Sequence, residues 1–95
     1  MKHIELYRLA PGADAVQVQE RLWKALRKLD DELDWLNHPV VYRRCGEVGE
    51  GFDLMASFEL EGEEQLEAYR AHPATQKLAD KLEGLVTERE TFDHY

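Results

Sequence analysis

Phe52-Asp53-Leu54-Met55-Ala56-Ser57-Phe58-Glu59-Leu60 alternates strictly, with Phe52, Leu54, Ala56, Phe58 and Leu60 on one face and Asp53, Met55, Ser57 and Glu59 on the other. Side chains of a strand point to opposite sides in turn, so a period of two predicts a β-strand with one apolar face. Gly46, Gly49 and Gly51 just before it predict a turn, fed by an earlier strand over Val40 to Glu47. After it, Gly62-Glu63-Glu64 opens a short helix carrying Leu66 and Tyr69, its acids suited to the positive end of the helix dipole. His72-Pro73 interrupts that helix, and Pro73 suits the first position of another, which uses Leu78, Leu82 and Leu85 and stops near Gly84. Val86 to Tyr95 reads as a closing strand.

Working back toward the N-terminus, Leu22, Leu26, Leu29, Leu33 and Leu36 recur at spacings of four and three, joined by Val18 and flanked by Trp23. That stripe predicts one long amphipathic helix, capped by Asp14 with Gln17 three residues on, and ended at Asn37-His38-Pro39. Lys2 to Leu9, stopped by Pro11-Gly12, reads as a first strand. The order is strand, helix, strand, strand, helix pair, strand. Short connections and right-handed crossovers then favour a four-stranded antiparallel sheet with its helices on one face, the α+β, ferredoxin-like βαββαβ arrangement. At 95 residues the chain has room for a single domain, 1–95, with one core.

Composition excludes several functions. A net charge of −8 argues against nucleic acid and against anionic membrane surfaces, both of which need clustered Lys and Arg. No apolar run approaches the roughly 20 residues of a spanning helix, and Met1-Lys2-His3-Ile4-Glu5 meets charge at once, unlike a secretory leader. Cys45 is the only cysteine, so no disulfide forms within the chain and a cytoplasmic setting is expected. Cys45 itself reads as a buried, inert thiol.

Both faces of the sheet are apolar. Helices on one side leave the other exposed, and it must carry either Ile4 and Leu6 or Tyr7 and Leu9, with Met55 and half of the second strand. Covering such side chains is worth several kcal/mol at roughly 25 cal/mol per Å2. A second copy set sheet against sheet supplies that cover, so a homodimer is expected.

The runs His3-Ile4-Glu5-Leu6-Tyr7-Arg8-Leu9, Gly51-Phe52-Asp53-Leu54, Glu63-Glu64-Gln65-Leu66-Glu67-Ala68-Tyr69 and His72-Pro73-Ala74 resemble the stress-responsive dimeric α/β-barrel (Dabb) family. The resemblance spans nearly the whole chain and is most specific from Gly51 to Ala74. It implies two ferredoxin-like domains paired into a barrel. It also implies that His3, Glu5, Tyr7 and Leu9 face the helices together with Phe52, Leu54, Ala56, Phe58 and Leu60, while Arg8 and Met55 point toward the partner. Most members of the family have no assigned activity. More distantly, the chain is similar to olivetolic acid cyclase, a member that closes a linear polyketide by intramolecular aldol condensation in a pocket between sheet and helices. The tyrosine that resemblance implies is Tyr69. The matching histidine position, three residues after His72, holds Thr75, and a threonine hydroxyl is no base near neutral pH without a strong partner. The cyclase mechanism therefore does not carry over intact.

Given that strand parity, the expected ligand-binding residues are His3, Glu5, Tyr7, Ala56, Phe58, Tyr69 and His72. His3 and His72 are the candidate bases, and Tyr69 the proton donor or ligand anchor. The plainer alternatives are a surface histidine at a strand end, a helix-ending histidine before proline, and a core tyrosine. Asp93, His94 and Tyr95 come near His3 if the first and last strands pair. No histidine pair has a ligand spacing, so no metal and no cofactor are expected. Three function classes stand: a dimeric domain binding a small apolar or aromatic ligand, a cyclase-like or monooxygenase-like enzyme, and a stress-associated module that protects other proteins by binding them.

Overall fold

The computed structural model describes residues 1–95. The elements run β1 (Lys2–Leu9), α1 (Ala15–Glu32), β2 (Asn37–Arg43), β3 (Leu54–Glu59), α2 (Glu63–Ala71), α3 (Pro73–Leu82) and β4 (Val86–His94). Every strand pairing is antiparallel and the sheet order is β2-β3-β1-β4, the ferredoxin-like topology that the element order predicts. Along β1 burial alternates residue by residue, with His3, Glu5, Tyr7 and Leu9 under the helices. Val18, Leu22, Leu26 and Leu29 of α1 close over Leu54, Ala56 and Phe58 of β3 to make the core. Asp14 caps α1 by accepting from the Val16 and Gln17 N–H groups.

The predicted boundaries move at four places, each for a physical reason. Helix α1 stops at Glu32, five residues before the expected Asn37, although Leu36 stays buried. Asp30, Asp31, Glu32 and Asp34 crowd the negative end of the helix dipole, and the last turn holds no basic residue to offset them. Leu33 and Leu36 thus continue the apolar spacing outside the helix. Strand β2 begins at Asn37 rather than Val40, and it tolerates Pro39 because it is a sheet edge with an irregularity between Asn37 and Val40. It ends at Arg43, so Cys45 lies in a loop and is exposed, not buried.

Strand β3 begins at Leu54 rather than Phe52. Asp53, expected on the outer face, is buried: its carboxylate accepts from the Leu9 and Gly49 N–H groups at 2.8 and 3.0 Å. Phe52, expected under the helices, is only half-buried and lies beneath the Arg8 guanidinium, 5.2 Å from ring to cation. Helix α3 ends at Leu82, and Gly84 at φ 84° provides the left-handed turn that returns the chain into β4.

The face away from the helices keeps apolar side chains. Ile4, Leu6 and Met55 are half-buried, while Tyr42 and Phe92 are 56% and 62% exposed. Pairing of Leu6 with Met55, Tyr42 with Met55, and Ile4 with Phe92 sets these residues on one continuous surface.

Candidate functional site

Beneath the helices the central strands carry charge where a core is normally apolar. Glu5, with no exposed surface, sits at the centre of a polar cluster. Its Oε1 accepts from the Tyr7 hydroxyl at 2.6 Å. Its Oε2 meets His3 Nε2 at 2.8 Å, the Tyr69 hydroxyl at 3.1 Å and Arg89 Nη2 at 2.5 Å. The other ring nitrogen of His3, Nδ1, bonds Asp93, which in turn faces Arg70 at 3.8 Å. A neutral imidazole has one N–H, so an imidazole held between two carboxylates is best satisfied as the imidazolium, donating to both.

Electrostatics follow from these contacts. Burial alone would push the Glu5 carboxyl up, but the His3 bond, the Arg89 charge and the Tyr7 hydroxyl outweigh it and hold the group at about 2. Burial would lower His3, yet Glu5 and Asp93 raise it above the ordinary histidine value. Burial and the Glu5 charge push both phenols, Tyr7 and Tyr69, well above the usual tyrosine range. Both hydroxyls are therefore fixed proton donors, and neither becomes a phenolate near neutral pH.

A groove of about 610 Å3 opens beside this cluster, between the sheet and α3. Tyr7, Val86 and Arg89 form its floor, Tyr69 and Arg70 one wall, and Thr75, Leu78 and Leu82 the other. Thr75 Oγ1 is buried there with no hydrogen-bond partner. An orphaned buried hydroxyl costs about 1–3 kcal/mol. Most of the groove's exposed lining is apolar, with polar groups from Tyr69, Thr75 and Arg89 and two carboxylates, Asp80 and Glu83.

Of the residues expected from sequence, the structure brings His3, Glu5, Tyr7, Phe58 and Tyr69 together. Phe58 fills the space between His3 and Tyr69, its ring centroid 5.1 and 4.7 Å from theirs. Only Tyr7 and Tyr69 of that set line the groove; Ala56 and Phe58 are sealed in the core. His72 stands apart as the cap of α3, its Nδ1 accepting from the Ala74 N–H at 3.0 Å. Asp93 does reach His3, as strand pairing suggests, while His94 points elsewhere: it pairs opposite Lys2 and is exposed. No three His, Cys, Asp or Glu side chains are disposed to hold a metal ion. Arg89 and Arg70 were not foreseen. The signal for Arg89 is the β1–β4 register, which sets it opposite Tyr7.

No functionally curated protein matches this chain. Among solved structures, a dimeric ferredoxin-like protein of unknown function from Bacteroides fragilis superposes with a TM-score of 0.83 at 19% identity, covering 98% of this chain and 92% of that one. A Dabb family protein with a ferredoxin-like fold from Mesorhizobium loti gives 0.73 at 16% identity, covering 99% and 93%. The hydroxynitrile lyase of Passiflora edulis gives 0.74 at 10% identity, covering 96% and 87%. At such identities the likeness concerns the fold. The sequence itself matches the Dabb family, the Stress responsive A/B Barrel Domain, over residues 1–95, so the chain belongs to that family.

Proposed function

We propose that this protein is a homodimeric, cytoplasmic Dabb domain that binds a small apolar or aromatic molecule in the groove between α3 and the sheet. The observation that carries the reading is the groove itself, mostly apolar in lining and bordered by the Tyr69 hydroxyl and the Arg89 guanidinium. Sites for small ligands have this character, an apolar hollow of about 300–1,000 Å3 with a few fixed polar groups. A binding role is favoured over an enzymatic one because no histidine lines the groove. His3 is only 1% exposed, with both nitrogens committed to carboxylates. The two phenols are donors locked on Glu5. A thermal-shift screen of small aromatic ligands, followed by calorimetry on wild type and Tyr69→Phe, tests the reading. A confirmed ligand whose affinity ignores Tyr69 removes the groove from consideration.

The dimer rests on the second face of the sheet. Ile4, Leu6, Tyr42, Met55 and Phe92 form an apolar surface there, and the Bacteroides fragilis relative is described as dimeric. Fully burying an exposed apolar side chain is worth about 1.5–3 kcal/mol, so each of these, already partly covered, contributes roughly half of that. Sedimentation at micromolar concentration is expected to give twice the chain mass, and Met55→Glu to shift it toward a single chain. A wild-type protein that sediments as one chain refutes the pairing. The exposed Cys45 has no partner within the chain, which suits a reducing compartment.

A further inference from the structure

We propose that the groove selects a small organic carboxylate, its carboxylate held by Arg89 and Arg70 beside the Thr75 hydroxyl and its apolar body lying along Leu78, Leu82 and Val86. The inference rests on the groove being a ligand site and adds the chemistry of the ligand's polar end.

Three observations carry it. First, the groove is polarised. Arg70 and Thr75 stand near the start of α3, with Arg89 on the facing strand. Its two carboxylates, Asp80 and Glu83, come from the last turn of α3 and its C-cap, Asp80 about 8 Å farther along the helix axis than Thr75 at 1.5 Å per residue. Second, the arginines at the basic end are paired but keep unused N–H donors. Arg89 gives Nη2 to Glu5 and stands 5.8 Å from the Tyr7 ring, and at 46% exposed it keeps part of its planar guanidinium open to the groove. Arg70 gives Nη1 to the exposed Glu67 at 3.0 Å and stands 3.8 Å from Asp93. With His3 bridging Glu5 and Asp93 as an imidazolium, the connected group sets three cations, His3, Arg70 and Arg89, against three carboxylates, Glu5, Asp93 and the exposed Glu67. Third, the Thr75 hydroxyl is buried without a partner on the same wall. A planar guanidinium with free N–H groups matches a carboxylate better than it matches any neutral oxygen, and the hydroxyl supplies a further donor at its side. Gln76 apart, the remaining lining from α3 and the start of β4 is Leu78, Ala79, Leu82 and Val86 with their apolar surface, so the rest of the ligand is apolar.

The test uses a matched pair of probes, 4-phenylbutyrate and its uncharged isostere 4-phenylbutyramide, titrated calorimetrically into the full-length protein near neutral pH. The acid is expected to bind at least about tenfold more tightly, the worth of one charge-assisted hydrogen bond. Arg89→Gln is expected to erase that preference, the acid losing about tenfold more affinity than the amide. Arg70→Gln, at an exposed position that leaves Glu5 paired, keeps the test decisive where Arg89→Gln fails to fold, and is expected to weaken the acid by about threefold or more. Equal affinity for acid and amide overturns the carboxylate assignment while the groove stands as a ligand site. Acid binding that is indifferent to both arginines overturns it as well. Absence of binding by either probe removes the groove reading together with it.

Discussion

Replacing Glu5 by Gln keeps the shape of the side chain and removes its charge, so it isolates the electrostatic role of the cluster centre. The carboxyl is held at about 2 against an ordinary 4.5. At neutral pH that displacement corresponds to about 3 kcal/mol of stabilisation from its partners. Removing one member of a buried ion pair costs about 3–5 kcal/mol. The lower end applies here because Arg89 is 46% exposed and can turn toward water, whereas His3 cannot. For a domain of this size, about 3 kcal/mol lowers the melting temperature by about 12–24 °C. The assay is thermal unfolding at pH 7 and fixed protein concentration, since dimerisation makes the midpoint concentration-dependent. A second arm follows pH. Glu5 is depressed in the folded state, so its contribution is full above about 4.5 and is lost as pH falls from there toward 2. The stability difference between wild type and Glu5→Gln should therefore shrink over that window. A variant melting within about 5 °C of wild type at pH 7 refutes the account of Glu5 as the hub.

Other substitutions probe its neighbours. His3 is raised in the folded protein, so the stability it adds is complete below about 6.5 and declines as pH rises through its folded value. Urea unfolding across that range should show this slope in wild type and not in His3→Gln; identical slopes would exclude a charged His3. Tyr69→Phe removes a buried donor to a carboxylate and should destabilise by about 1.5–3 kcal/mol, read by urea unfolding; a change near zero would mean the Tyr69–Glu5 bond is not made. Thr75→Val removes the orphaned hydroxyl at nearly constant volume and should raise stability by about 1 kcal/mol, whereas a lower melting temperature would show that the hydroxyl has a partner in the folded protein.

Local pattern carried the architecture a long way. Strict alternation from Phe52 to Leu60 and the leucine spacing of α1 each name an element without help from distant residues, because backbone geometry alone sets periods of two and 3.6. Boundaries were legible only in part. Leu33 and Leu36 keep helical spacing but lie past the helix end, since apolar periodicity records burial and not backbone conformation. Asp53 occupies a polar place in the alternation yet is buried, because two N–H groups from Leu9 and Gly49 converge on it. Cys45 is exposed for a related reason: strand β2 ends before reaching it, and in the loop that follows it is Val48 that packs against the core.

The sequence by itself determined the element order, the fold and the placement of His3, Glu5 and Tyr7 on one face of one strand, all properties of residues close together in the chain; that this face lies inward was only what the family resemblance implied. Only the tertiary structure decided what those residues do. Arg89 and Asp93 reach Glu5 and His3 from 84 and 90 positions away through the β1–β4 register, and Tyr69 arrives from a helix laid across the sheet. Those contacts set which groups are charged, which hydroxyls donate and where a groove remains open. They depend on how strands and helices meet in space, and no short-range pattern encodes that meeting.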